Sequence, residues 1–318
     1  MTKDEWDEIV DEYVNANYSN EKNIANNLYV SKNATAQAIA YEYLKKHYTD
    51  FLHNSITINI KTKTPSNKVW VCWLQGMENA PKPIQVCYEA LKKNLLGNDI
   101  ILITEQNIGK YIEFPSHIVD NRNKGIISNV HFSDLLRLEL LIRHGGIWID
   151  ADVLCTGNKC IDDVSKIPLF VLKNPPEYKN IYTSLASSWF IAAWRNSVIL
   201  TATRDLLYKY WADMDYIINY FIIHLFFRMA AEYFADEWKS IPEAINRLNP
   251  RVLREEKFDP YSKARFEELK QISDFHKLSY KQKYTNAHWM QVLAGAEIMP
   301  DSDKKDTLWD MIVNHGVQ

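Results

Sequence analysis

Apolar positions along this chain follow two different patterns, and the change of pattern divides it. Up to about residue 64 the spacing is helical. Trp6, Ile9, Val10 and Tyr13 share one face, and Ala38, Ile39, Tyr41, Tyr43, Leu44 and Tyr48 repeat the pattern within 36–52. Lys61-Thr62-Lys63-Thr64-Pro65-Ser66-Asn67-Lys68 then has loop chemistry. We therefore expect a helical N-terminal extension over 1–64 and one main domain over 65–318. Beyond the loop, strands that are apolar throughout alternate with helices. Strands are expected at Val69 to Leu74, Asp99 to Thr104, Ile147 to Ile149 and Leu169 to Leu172. Helices are expected at Pro83 to Leu96, from about Ser133, and over much of 197–270, where Asp215 to His224 shows a wide apolar helical face. Continuous apolar strands separated by helices indicate an α/β fold: a Rossmann-like, mainly parallel sheet flanked by helices.

Composition narrows this picture only slightly. The chain has 318 residues, 47% of them hydrophobic, which is enough for a sizeable core. A formal net charge of −3 excludes the basic surplus that a nucleic-acid partner demands. Cys72, Cys87, Cys155 and Cys160 form no CxxC pair and read as free thiols. The polar start Met1-Thr2-Lys3-Asp4 is not a signal peptide, and the apolar run 216–227 falls short of the roughly 20 residues that span a bilayer. These features predict a cytoplasmic protein. The N-terminal helices read as a cap on the core, with self-association or peripheral contact at the inner membrane face as their other expected uses. The stretch 247–283 carries more Lys and Arg than acid; it reads as a solvated face before it reads as an anionic-lipid contact.

The candidate chemistry lies in Ser133-Asp134-Leu135-Leu136-Arg137, followed by Gly145-Gly146-Ile147-Trp148-Ile149-Asp150-Ala151-Asp152. Ser133 is a candidate N-cap, and the two glycines end the helix and reverse the chain. The strand that follows delivers two aspartates at its carboxyl end, where open α/β sheets collect ligands. If the strand stays extended, Asp150 and Asp152 share a face, and Ala151 between them leaves room for a close ligand. Converging carboxylates repel unless a cation joins them, and hard oxygen ligands suit Mn²⁺ or Mg²⁺. Asp134 and Arg137 lie one helical turn apart, either as a plain ion pair or turned toward an anion. Asp215 is a candidate to orient an acceptor hydroxyl.

This block resembles the DXD region of bacterial capsular polysaccharide glycosyltransferases, and it is similar to the wider mannosyltransferase-like group with a GT-A fold. Val69-Trp70-Val71-Cys72-Trp73-Leu74-Gln75-Gly76 resembles the same family's first strand and nucleotide-contacting turn. The likeness runs from about 68 to 290 and leaves the N-terminal extension outside. It implies a GT-A catalytic domain, a UDP-sugar donor and Mn²⁺. Asp152 would bind the metal and Asp150 the metal, ribose or sugar. Asp134 and Arg137 would line the sugar–diphosphate pocket, with Trp73, Gln75, Gly76 and Asn107 near the nucleotide. It further implies His276 as a third metal ligand, Lys277 and Lys281 at the diphosphate, and the zone of Ser188 near donor sugar and acceptor. The expected reaction is retaining transfer of a hexose, galactose before glucose, to a lipid-linked saccharide. A nucleotidyltransferase or phosphohydrolase would carry a glycine-rich phosphate loop or more acids. A non-catalytic binder would hold UDP without turnover.

Overall fold

The computed structural model describes residues 2–18, 25–54, 64–174, 184–281 and 305–316. Positions 61–63 of the expected loop, most of the segment between Leu172 and Ser187, and Lys283 lie outside these. In chain order the elements are α1 (Lys3–Tyr18), α2 (Ala25–Asn54), β1 (Lys68–Cys72), α3 (Lys82–Asn94), β2 (Asp99–Ile103), α4 (Ser116–Asn123) and α5 (Asn129–His144). There follow β3 (Gly146–Ile149), β4 (Val153–Cys155), α6 (Ile161–Ser165), β5 (Leu169–Lys173), β6 (Ala186–Ala193), α7 (Val198–Asp213) and α8 (Ile222–Tyr233). The chain continues through α9 (Ala235–Ser240), α10 (Arg251–Glu256), α11 (Lys263–Ile272) and β7 (Phe275–Lys277). The class is mixed α/β with a mostly parallel sheet and flanking helices, as expected.

Two compact units are built from interleaved segments. One comprises Pro65–Lys110, Gly146–Ile167 and Ala244–Gln318. Its parallel ladder sets β1 between β2 and β3, with Lys68 opposite Asp99 and Trp70 opposite Trp148. β4 pairs antiparallel with β7, placing Val153 opposite Lys277 and Leu154 opposite His276. Gly146 makes the close approach to β1 feasible. Its φ is +103°, and a Cβ there would lie 2.3 Å from the Lys68 carbonyl oxygen.

The other unit comprises Met1–Thr64, Tyr111–Gly145 and Pro168–Glu243. The N-terminal helices pack on α7, α8 and the segment between them within this unit. The Trp6 indole donates to the Ile218 carbonyl, the Tyr41 hydroxyl donates to Glu232 at 2.6 Å, and Tyr48 packs on Tyr210 and Phe226. β5 and β6 pair antiparallel.

Two local expectations are corrected. α5 begins at Asn129, a turn before Ser133, because Ser128 supplies the cap by accepting from the His131 amide. The span Asp215 to His224 is not one helix: α7 ends at Asp213, and the Tyr210 hydroxyl fixes an irregular segment by donating to the Tyr216 carbonyl and accepting from the Ile218 amide. Helix α8 starts only at Ile222. Within 247–283, ion pairs join Arg247 to Asp274, Arg254 to Glu255, Arg265 to Glu256 and Lys270 to Glu267. All four cysteines are free.

Candidate active site around Asp150 and Asp152

Strand β3 ends at Ile149, and the next four residues form a turn, closed by the Val153 amide donating to the Asp150 carbonyl at 3.1 Å. Extended geometry does not persist. The turn, not period-two alternation, is what brings the two carboxylates together. Alternation acts one step earlier, where Trp148 and Asp150 share a face and the indole N–H donates to Asp150 Oδ1 at 2.9 Å. Both carboxylates converge on one cation. Lys277 Nζ donates to Asp150 Oδ2 at 2.8 Å and to Asp152 Oδ1 at 2.5 Å. The three side chains are mostly buried, at 24%, 14% and 19% exposure for Asp150, Asp152 and Lys277. Burial works against the ammonium's charge, but the two carboxylates outweigh it and lift the Lys277 pKa.

The backbone around Lys277 is tightly held. The Leu278 amide donates to the Asp152 carbonyl at 3.0 Å. The fully buried Lys257 ammonium donates to the carbonyls of Leu278 and Ser279 at 2.8 and 3.1 Å. Asp274, with no exposed surface, accepts from Arg247 and from the Cys160 amide. His276 faces away from the aspartates, as the neighbour of Lys277 on a strand must. Its Nε2 lies 3.0 Å from the Thr156 hydroxyl, and burial pushes its pKa down to about 4. The structure thus brings Lys277, not His276, to the aspartates.

Other expected nucleotide-side residues of this unit are more scattered. Trp73 is half-buried, edge-on to Tyr280 at 6.5 Å between ring centres, and its indole nitrogen is buried with no hydrogen-bond partner. Gln75 is exposed, and Gly76 adopts φ +85° at the turn after β1. Asn107 spends both ends of its amide on its own loop, accepting from the Thr104 amide and donating to the Leu102 carbonyl. Ala151 is half-buried in the turn, and exposed Lys281 has its ammonium 5.7 Å from the Tyr280 ring centre.

The remaining candidates belong to the other unit. Asp134 and Arg137 are both 6% exposed and form an ion pair at 3.1 Å. The Arg137 guanidinium also donates to the Ser188 carbonyl at 2.7 Å, so α5 holds β6 through this residue. The Ser188 hydroxyl lies 3.4 Å from His224 Nε2, while His224 Nδ1 lies 3.0 Å from the Ala186 carbonyl. A carbonyl can only accept, so Nδ1 carries a proton. Asp215 is exposed on the irregular segment after α7.

The family described as capsular polysaccharide synthesis protein matches residues 18–293. The chain belongs to that family. The family region begins at the end of α1, about fifty residues before the expected start, and so takes in α2 as well. A curated relative of this chain is the O-glycosyltransferase braB of Annulohypoxylon truncatum. It is 26% identical over 167 residues, which cover 46% of this chain and 38% of the relative. The chain thus spans well under half the length of that relative. Among solved structures, the PaToxG glycosyltransferase aligns with a TM-score of 0.36 and 15% identity over 88% of this chain and 98% of that one. At that score the likeness carries no weight.

Two carboxylates aimed at one cation suit a Mg²⁺- or Mn²⁺-sized ion, which takes one or two carboxylates and completes its shell with water and substrate phosphates. Among the described residues no cluster of three or more His, Cys, Asp or Glu could hold a metal. Sequence reasoning missed the Trp148 donor and the Lys257 clamp. Trp148 stands two residues before Asp150 on a strand, which was the available signal; Lys257 gave none.

Proposed function

We propose that this chain is a glycosyltransferase that moves a hexose, galactose before glucose, from a UDP-sugar to a lipid-linked saccharide in capsular or surface polysaccharide assembly. The observation that carries this reading is the convergence of Asp150 and Asp152 on one cation at the carboxyl end of β3. Family membership supports the pathway, and the relative braB supports transfer of a glycosyl group.

Asp150 and Asp152 would hold Mn²⁺ or Mg²⁺, which when bound neutralises charge developing on a departing diphosphate. The chain's own residues supply the rest. Trp148 fixes the rotamer of Asp150 by donating to Oδ1, leaving Oδ2 for the cation. The Asp150–Val153 turn sets the spacing of the two carboxylates. Lys277, on a backbone anchored by Lys257 and by the Asp152 carbonyl, is the cation best placed to meet a diphosphate oxygen as the bond from the anomeric carbon breaks. Arg137, expected in that role, spends its guanidinium on Asp134 and Ser188. The sugar passes through an oxocarbenium-like state, and retention of configuration requires no dedicated general base in this reading. Among the described residues no helix is long and apolar enough to cross a membrane.

The test is a panel of UDP-sugars with Mn²⁺, scored by UDP release. One donor, a galactose or glucose nucleotide, is expected to stand out. Asp152→Asn lowers its metal-dependent turnover roughly a hundredfold or more while leaving the unfolding midpoint near wild type. Undiminished metal-dependent release by that variant refutes the assignment.

A further inference from the structure

An ammonium already stands where a cation between Asp150 and Asp152 would stand. Two carboxylates and one ammonium leave a single net negative charge. A divalent ion added to that group with Lys277 in place would set like charges a few ångströms apart in a site mostly shut from water, where Coulomb repulsion is weakly screened. A nucleoside diphosphate changes the balance. Its two or three negative charges take the net charge of the group from about +1 to about −1 or −2 and give the displaced ammonium an anion to pair with.

We propose that Lys277 is the resident counter-cation of the Asp150–Asp152 pair, so that a bare divalent ion binds weakly and binds well only together with a nucleoside diphosphate, to which Lys277 then turns. This rests on the reading of the site as one for a metal and a diphosphate. The fold suits the exchange. β7 is fixed by its ladder to β4, by the Leu278 amide on the Asp152 carbonyl and by Lys257 on the next two carbonyls, so the change is confined to one flexible side chain. The lysine also offsets the mutual repulsion of the two carboxylates. Binding of metal and donor is thereby coupled, and coupling of this kind is reciprocal.

The experiment is calorimetric titration of MnCl₂ into the full chain, with and without saturating UDP, for wild type, Lys277→Met, Lys277→Arg and Asp152→Asn. Lys277→Met is expected to bind Mn²⁺ alone about tenfold tighter than wild type, while Lys277→Arg, which keeps the charge, stays within about threefold. UDP is expected to strengthen Mn²⁺ binding by a factor about tenfold larger in wild type than in Lys277→Met. Should Lys277→Met bind Mn²⁺ no tighter than wild type, with Asp152→Asn still abolishing binding, the counter-cation role is overturned and the metal site stands. Absence of Mn²⁺ binding in every form, with or without UDP, overturns the metal reading and the proposal together. If Lys277→Met does not fold, wild type decides: equal Mn²⁺ affinity with and without UDP overturns the proposal.

Discussion

Acid is expected to loosen the strand that carries Lys277, and His276 sets the size of the effect. His276 is 1% exposed, and burial takes its imidazole from the usual 6.5 down to about 4. The Thr156 hydroxyl lies 3.2 Å from the Ser273 carbonyl, to which it can only donate, so its oxygen accepts from the protonated Nε2 of a neutral ring. The unfolded chain takes up a proton near pH 6.5 and the folded chain only near 4. Between those values the unfolded state binds more protons, so stability present above pH 6.5 is lost as pH falls. The loss amounts to about 2 kcal/mol at pH 5 and approaches about 3 kcal/mol below pH 4. His276→Gln keeps an amide donor for Thr156 and cannot titrate. Urea unfolding of both proteins at about pH 7.5 and about pH 5 isolates the term, since every other titrating group is common to them. Wild type is expected to lose about 2 kcal/mol more than His276→Gln on acidification. Equal losses would show that the imidazole is not held neutral by burial, and would refute the reasoning.

Two further substitutions probe the frame around the site. Gly146→Ala combines a positive φ with a Cβ 2.3 Å from the Lys68 carbonyl oxygen, and backbone in a ladder cannot yield cheaply. A cost of roughly 3 kcal/mol or more is expected in urea unfolding, whereas Gly97→Ala, with open space at its Cβ, stays within about 0.5 kcal/mol of wild type. Asp274→Ala leaves Arg247 without its carboxylate and the Cys160 amide without its acceptor, and is expected to cost roughly 3–5 kcal/mol by the same measurement.

The parallel ladder was legible in the sequence because strands covered on both faces are apolar throughout: Val69, Trp70 and Val71 in β1, and Ile147, Trp148 and Ile149 in β3, are all buried. The two glycines were legible because a helix end followed at once by a strand needs left-handed backbone, and both have positive φ. Local spacing failed where distant contacts decide. Asp215 to His224 has a helical apolar pattern, yet Tyr210 captures the Tyr216 carbonyl and the Ile218 amide and holds the backbone out of a helix. The N-terminal helices read as a cap, but nothing local marks Trp6 as a donor to the Ile218 carbonyl, so where they meet the core was not legible.

The site shows the same limit more sharply. An aspartate pair at a strand's carboxyl end can be read from its neighbours, but the turn that bends it was not legible, and the cation that joins it comes from a residue about 125 positions away in the chain. That cation is chosen by register. β4 follows the turn directly, and β7 pairs with it so that Lys277 lies opposite Val153. Adjacent strand residues point to opposite faces, so a slip of one position would present His276 to the aspartates and bury Lys277 in its place. A metal-ligating His276 and a diphosphate-binding Lys277 therefore cannot both turn to the same point from β7 as the structure has it. The ladder, the Leu278 amide and the Lys257 clamp all fix the register that gives the aspartates a lysine. What the sequence offered as two cooperating ligands is, in the fold, a choice between them.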